Sequence, residues 1–123
     1  MVARHFAELD IWKIANELKV AVYRLTDSGP AAADVAFRNQ LRTAASSVPS
    51  NIAEGFGRYQ HADFARFLRI AAGSLEEVEN HLRDGVDRRH FSAQQIAPLV
   101  VLKRRAAAAT VALIQYLRTT KAP

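Results

Sequence analysis

Apolar residues recur at intervals of three and four along most of the chain, which places them on one face of an α-helix. Four stretches with this pattern predict helices at about residues 7–26, 34–57, 61–90 and 93–119. The third stretch has the most regular apolar stripe, formed by Phe64, Leu68, Ala71, Leu75, Val78, Leu82 and Val86. No alternating run is long enough to indicate a sheet, so we expect an all-α fold.

Short connections rich in Gly, Pro and charged residues separate the four stretches. Residues 27–30, Asp-Ser-Gly-Pro, end the first helix, because Gly suits the C-cap and Pro cannot continue a helix. Ser92 and Gln95 have the spacing of a capping box, although Pro98 would also suit the first turn of a helix that began there. Four long helices with short connections predict an antiparallel up-down-up-down four-helix bundle, with residues 1–123 as a single domain.

The chain contains no cysteine, so it can form neither a disulfide framework nor a thiolate metal site. Its first ten residues lack the apolar core of a secretory signal. The longest apolar run, residues 106–114, is much shorter than the roughly 20 residues needed to span a bilayer. We therefore expect a cytoplasmic protein that does not enter a membrane.

Residue types found in metal sites and active sites are not arranged in a recognisable pattern. Di-iron centres in helical bundles use Glu-x-x-His pairs, and the nearest pattern here, Asp87 with His90, lies at a predicted helix end. Glu77 and His81 are one turn apart, which suits an acid–base pair or an ordinary helix-face hydrogen bond. An enzyme using Glu54, Glu77 and His81 is the least favoured function, and we expect no catalytic residues, metal or cofactor.

Residues 46–58 break the regular pattern of the second helix. Pro49 lies within the predicted helix, where it removes a backbone hydrogen bond and costs about 3 kcal/mol or more in a straight helix. Asn51 and Glu54 share a face, and Glu54 precedes Arg58 by four residues, the favourable order for an ion pair. We expect these side chains to satisfy the carbonyl freed by Pro49, to fix the helix end, or to bond to the next helix.

Small and polar residues of the third helix are predicted to face that segment. Gly73 costs about 1 kcal/mol in a helix relative to Ala, and together with Ala72 and Ser74 it would allow the kinked region around Pro49 to approach closely. Ser74 and Glu77 would then complete a buried polar network that fixes the register of the two helices. Replacement of Gly73 by Leu is expected to lower the melting temperature.

The chain is basic, since 17 Lys and Arg residues against 12 Asp and Glu residues give a net charge of +5. Residues 92–123 contain no acid, and residues 37–70 contain only Glu54 and Asp63. This distribution is typical of proteins that bind RNA or DNA, although a solvated helix surface has the same composition. The side chains predicted to contact phosphate are Arg38, Arg42, Arg66, Arg69, Lys103, Arg104 and Arg105.

Aromatic residues near these basic positions are few. Tyr59 and His61 lie near the predicted turn between the second and third helices. Since stacking platforms for nucleic acid generally use several exposed aromatic side chains, binding driven by charge or shape is favoured. The alternative function is a protein–protein interaction module or scaffold that does not bind nucleic acid.

Two longer motifs resemble a known family. Residues 40–58, Gln-Leu-Arg-Thr-Ala-Ala-Ser-Ser-Val-Pro-Ser-Asn-Ile-Ala-Glu-Gly-Phe-Gly-Arg, are followed by residues 67–77, Phe-Leu-Arg-Ile-Ala-Ala-Gly-Ser-Leu-Glu-Glu. Together they are similar to bacterial four-helix-bundle proteins encoded in intervening sequences of 23S ribosomal RNA genes, a family that includes the accessory protein of diversity-generating retroelements. The matching signature residues are Pro49, Asn51, Glu54, Gly55, Arg58, Gly73, Ser74 and Glu77.

The resemblance implies a four-helix bundle that assembles into a ring-like homopentamer with a basic surface. Retroelement members of the family bind nucleic acid and a reverse transcriptase, whereas no defined biochemical activity accompanies the stand-alone members. The signature therefore carries over as a structural set rather than a catalytic site. This chain departs from the family at residues 31–33 and 84–91, so the resemblance does not imply a particular partner.

Overall fold

The computed structural model describes residues 3–120, and within that range the chain forms helices and no strand. The elements, in chain order, are a short 3₁₀ helix (Phe6–Glu8), α1 (Asp10–Leu25), α2 (Gly29–Ala33), α3 (Val35–Phe56), α4 (His61–Asp87) and α5 (Ala93–Thr119). The predicted all-α fold is confirmed.

The helix boundaries differ from the predicted ones mainly in the connections. α2 occupies the first connection, where only a turn was predicted, and it begins at Gly29, whose φ of 71° lies in the region that favours glycine. α4 ends at Asp87 rather than near residue 90, because Arg89 adopts a φ of 64° that an α-helix cannot continue through. The backbone therefore turns sharply before α5.

The start of α5 is fixed by a capping box. Ser92 Oγ accepts from the Gln95 backbone N–H at 3.1 Å, and Gln95 Oε1 accepts from the Ser92 N–H at 2.8 Å. The predicted capping box is confirmed, and the alternative start at Pro98 is wrong. Pro98 lies inside α5 at an exposed position, where the carbonyl that it leaves without a donor belongs to exposed Gln94 and can bond to water.

The four long helices pack in a cyclic order, with α1 on α3, α3 on α4, α4 on α5 and α5 on α1. Apolar side chains from all four fill one buried cluster between them. The largest fully buried apolar members are Phe37, Leu18, Leu41, Ile52, Leu68, Leu75 and Leu82. Burial of each such side chain contributes about 1.5–3 kcal/mol, so this cluster is the main source of stability. The arrangement is compatible with a helical bundle.

Pro49 is buried within α3, and the polar groups near it form a network between α3 and α4. Asn51 Nδ2 donates to the Ser47 carbonyl at 2.8 Å and lies 2.9 Å from Ser47 Oγ, which is 2.9 Å from Oγ of buried Ser74. Pro49 frees the carbonyl of Ala45, so Asn51 does not bond to the carbonyl that the sequence suggested. The network reaches the next helix through Ser47 instead.

The close approach between α3 and α4 occurs at Gly55 and not at Gly73. A Cβ atom at Gly55 would lie 2.8 Å from Phe64 Cδ1 and 2.9 Å from Phe67 Cβ. Gly73 is exposed, and a Cβ atom there would meet nothing within 4 Å. The prediction that Gly73 faces the kinked segment is wrong, because Ser74, one residue on and about 100° around the helix, is the side chain directed at α3.

Side-chain hydrogen bonds tie the helix ends together at two places. Asp34, the N-cap of α3, accepts from His90 Nε2 at 2.9 Å and from Arg88 Nη1 at 3.1 Å, which joins α3 to the α4–α5 connection. The His90 hydrogen bond, reinforced by the positive charge of Arg88, holds the pKa of Asp34 below its ordinary value of 3.8. At the start of α4, His61 Nδ1 lies 3.0 Å from the carbonyl oxygen of Thr120, just beyond α5.

Candidate nucleic-acid interface

The basic side chains predicted to contact phosphate do not form one surface. They fall on three elements: Arg38 and Arg42 on the first part of α3, Arg66 and Arg69 on the first part of α4, and Lys103, Arg104 and Arg105 in the middle of α5. Their burial and their partners differ from one element to the next.

Lys103 is buried between α4 and α5, and only 7% of its surface is exposed. The predicted contact with phosphate is wrong, because a ligand cannot reach the side chain. Its Nζ donates to Glu76 Oε1 at 2.7 Å and lies 3.0 Å from Glu79 Oε1. The hydrogen bond to Glu76, followed by that to Glu79, raises the pKa of Lys103 above its ordinary value. The sequence contained the signal, because Lys103 lies four residues after Leu99 and three before Ala106 on the buried stripe of α5.

Arg42 and Arg38 hold the connection between α1 and α3. Arg42 Nε donates to Thr26 Oγ1 at 2.8 Å, and its Nη2 donates to the Tyr23 carbonyl at 3.1 Å and to Asp27 Oδ1 at 3.0 Å. Arg38 Nη1 donates to a carbonyl of α2 at 3.0 Å. A phosphate contact from either guanidinium would compete with these bonds, so neither belongs to a free basic surface.

Arg66 and Arg69 are exposed on the outer face of α4, and the described residues place no carboxylate within ion-pair distance of them. The Arg66 guanidinium carbon lies 4.5 Å from the centroid of the Phe67 ring, and that of Arg58 lies 4.9 Å from the same centroid. Such contacts orient a guanidinium group while its N–H donors remain free. Arg58 also forms the predicted ion pair with Glu54, at 2.6 Å.

Tyr59 lies in the connection between α3 and α4, and 94% of its surface is exposed. It follows Arg58 directly and precedes Gln60, the N-cap of α4. Sequence reasoning placed Tyr59 near a turn but had no signal for its exposure, because a tyrosine beside a helix end packs on the core as often as it faces solvent. The structure thus adds an exposed aromatic ring directly before the N-cap of α4, whose first turn carries Asp63 and whose next turns carry Arg66 and Arg69.

Arg104 and Arg105 are exposed on α5, on a face that also carries exposed apolar side chains. Val101, Val111 and Tyr116 are 54%, 51% and 58% exposed on the same helix. A helix that is apolar beyond its packed stripe is typical of a surface that contacts another chain. The outer face of α5 therefore combines positive charge with uncovered apolar area.

An open groove of about 640 Å³ lies between α3 and α4 and contains Glu77 and His81, two of the three groups considered for catalysis. The third, Glu54, is paired with Arg58 elsewhere, so the structure does not assemble the three. The lining residues are Asn39, Gln40, Thr43, Ala44, Ser47, Ser74, Glu77 and His81. Sequence reasoning missed the contribution of α3 to this groove, although the polar residues at positions 39, 40 and 43 share one side of the helix.

The described part of the chain contains neither a candidate metal site nor a candidate membrane-spanning helix. Between residues 3 and 120, no group of three or more His, Asp or Glu side chains is placed to hold a metal ion. No helix in the same range has both the length and the apolar character required to cross a bilayer.

Comparison with protein families supplies a match over most of the chain. The family model described as 23S rRNA-intervening sequence protein matches residues 7–110, which include both sequence motifs and helices α1 to α4 in full. No curated protein matches the chain.

Proposed function

Since the chain belongs to the 23S rRNA-intervening sequence protein family, we propose that it is a non-enzymatic, oligomeric helical-bundle protein that binds RNA or DNA. The observation that carries this proposal is the exposure of Arg66, Arg69, Arg104 and Arg105, for which the described residues provide no carboxylate partner. These four side chains replace the seven predicted from sequence as the proposed phosphate contacts.

The charge distribution supports a polyanionic ligand. The net charge of +5 favours association with nucleic acid at long range, and exposed guanidinium groups donate to phosphate oxygens at short range. Each phosphate that the protein neutralises releases counterions, so the logarithm of the binding constant should fall by about 0.7 to 0.9 per contact for each tenfold increase in salt. The proposal therefore predicts steep salt dependence.

We also propose that the helices form one antiparallel up-down-up-down bundle domain and that the protein acts in the cytoplasm. The cyclic packing of α1, α3, α4 and α5 supports this topology, as do the short connections between them. The absence of cysteine is consistent with a reducing compartment.

Self-association is the second part of the proposal. Val111 and Tyr116, which are exposed on α5 on the C-terminal side of Arg105, support contact with another chain that leaves Arg104 and Arg105 open to nucleic acid. A homopentamer is the assembly that the family resemblance suggests, and a protein partner such as a reverse transcriptase is the alternative occupant. Light scattering of the purified protein tests assembly: Val111→Asp should reduce the mass of the oligomer, whereas a monomeric unaltered protein would contradict it.

Binding can be tested by the anisotropy of labelled 20-nucleotide RNA and DNA between 50 and 200 mM salt. Replacement of both Arg66 and Arg69 by Gln should weaken binding and reduce the salt slope by about 1.4 for a single strand, or about 0.7 per contact. The control replaces Lys13 and Arg24, two exposed basic residues of α1, by Gln. Failure of the unaltered protein to bind at 50 mM salt, or equal losses in both double variants, would contradict the proposal.

A further inference from the structure

We propose that the α3–α4 connection is a stacking site for an unpaired nucleobase, in which Tyr59 is the platform and Arg66 and Arg69 contact the adjoining phosphates. This inference rests on the proposed nucleic-acid binding and specifies its ligand as a single strand. The site lies where a 94% exposed aromatic ring precedes α4, which carries Asp63 in its first turn and Arg66 and Arg69 in the turns that follow.

The exposure of Tyr59 distinguishes it from Tyr23, whose ring is covered by other groups. Tyr23 is 36% exposed, and its ring lies under the Lys19 ammonium at 5.9 Å and the Arg42 guanidinium at 5.2 Å. Tyr59 has no such cover in the described structure, so its ring is open to a planar group. Stacking of one base on an aromatic side chain contributes about 1–3 kcal/mol and tolerates any base.

The connection that carries Tyr59 is short and bonded at both ends. The Arg58 N–H donates to the Gly55 carbonyl at 3.1 Å, which terminates α3, and the Phe64 N–H donates to the Gln60 carbonyl at 3.1 Å, which begins α4. Tyr59 is the one residue between Arg58 and Gln60, whose backbone groups form these bonds. Because the backbone on either side is fixed, stacking on the ring costs less conformational entropy than it would in a long loop.

The arginine side chains near the start of α4 suit contact with a phosphodiester. Arg58 and Arg66 both lie over Phe67, at 4.9 and 4.5 Å from its centroid, and Arg69 follows Arg66 by one turn of the outer face of α4. Glu54 takes up part of the charge of Arg58, so Arg66 and Arg69 are the stronger candidates for phosphate. Arg66 and Arg69 lie about 8 and 12 Å along the axis of α4 from its first residue, His61. A strand that runs along α4 from a base stacked on Tyr59 would bring its next phosphates within reach of these two groups.

A double helix does not suit this arrangement. Bases in a duplex are stacked on each other and paired, so a single exposed ring on a short connection cannot reach their faces without unstacking them. An unpaired base offers its face at no such cost. The expected ligand class is therefore single-stranded RNA or DNA, with contacts to the base face and to phosphate.

The test compares Tyr59→Ala with Tyr59→Phe in the full chain, using anisotropy at 100 mM salt with a 12-nucleotide RNA, the DNA of the same sequence and a blunt duplex. Tyr59→Ala should weaken single-strand binding about 5- to 150-fold, the equivalent of one stacked base. Tyr59→Phe keeps the ring and should bind within about twofold of the unaltered protein. Duplex binding and the salt slope should stay unchanged in both variants, because no charge is removed.

The outcomes separate this inference from the proposed function. Unchanged single-strand binding by Tyr59→Ala, an equal loss in Tyr59→Phe, or an equal loss of duplex binding would each overturn the stacking site and leave nucleic-acid binding standing. Failure of the unaltered protein to bind any of the three probes at 50 mM salt would overturn both. Weaker binding of Tyr59→Ala to the RNA strand alone, or to both the RNA and the DNA strand, supports stacking and identifies the sugar that the site accepts.

Discussion

The same substitution should have opposite effects at two glycines of the α3–α4 pair. Gly73→Ala adds a methyl group at an exposed position of α4, where the new atom meets nothing within 4 Å. Gly55→Ala adds the same methyl group at the interface, 2.8 Å from Phe64 Cδ1 and 2.9 Å from Phe67 Cβ. Both positions are helical, although Gly55 lies one residue before the end of α3 and Gly73 lies inside α4, so packing makes the main difference between the variants.

The magnitudes follow from helix propensity and overpacking. Replacement of Gly by Ala within a helix stabilises it by about 1 kcal/mol, and Gly73→Ala should gain this in full. At Gly55 the ring edge of Phe64 can rotate away, but the Cβ of Phe67 moves only with its backbone, so overpacking should cost about 1–3 kcal/mol or more. We expect Gly55→Ala to lie about 1–3 kcal/mol below Gly73→Ala in free energy of unfolding.

Thermal and urea denaturation followed by circular dichroism measure the two variants against the unaltered protein. A change of 1 kcal/mol should move the melting temperature by about 4 °C in a chain of this size, so the pair should differ by about 4–12 °C. Equal stability of the two variants would refute the close approach at Gly55. A loss of stability in Gly73→Ala would refute its placement on an open face.

Three further predictions concern the polar contacts. The hydrogen bond from His90 lowers the pKa of Asp34, so ionised Asp34 stabilises the fold above the ordinary pKa of 3.8, and this contribution is lost as pH falls through the lowered value. Asp34→Asn should therefore make stability less dependent on pH in the acid range, as measured by fluorescence-monitored unfolding. An unchanged pH dependence would contradict this. Lys103→Met should lower the free energy of unfolding in urea by about 1 kcal/mol through loss of its two ion pairs, since Glu79 keeps its bond to Arg83 and Glu76 is 71% exposed to water. The salt slope of RNA binding should stay the same, and a shallower slope would show that Lys103 contacts phosphate. Asn51→Ala should cost about 1 kcal/mol in the same assay through loss of the hydrogen bond to the Ser47 carbonyl, and a neutral result would show that water replaces the amide there.

Periodicity alone was enough to predict the long helices, because the core requires an apolar side chain every three or four residues. The capping box at Ser92 involves residues only three apart in the sequence, so it could be predicted as well. The direction in which Gly73 faces could not be predicted, because one residue turns the helix by about 100° and a stretch of small residues does not indicate which of them is buried. The short helix Gly29–Ala33 depends on the positive φ of Gly29 and on the burial of Ala31, and neither produces a periodic apolar pattern in the sequence.

The candidate interface was less predictable than the fold, because a basic residue has the same sequence signature whether it is free or paired. Arg42 and Lys103 found partners on other elements, and those contacts depend on how the helices pack. The exposure of Tyr59 likewise depends on the path of the connection. Composition indicated an excess of basic residues, whereas only the three-dimensional arrangement shows which of them are exposed and which are bonded to other helices.

The cyclic packing of the helices has a consequence for how the chain folds. α3 and α4 are joined by residues 57–60 and share an extensive interface, so their contacts close with little loss of chain entropy. The contact of α1 with α5 joins the two long helices most distant in sequence, and its closure costs the most. We expect the α3–α4 pair to form early and the α1–α5 contact last. Amides of α1 should then exchange with solvent through openings of lower free energy than those at the centre of α4.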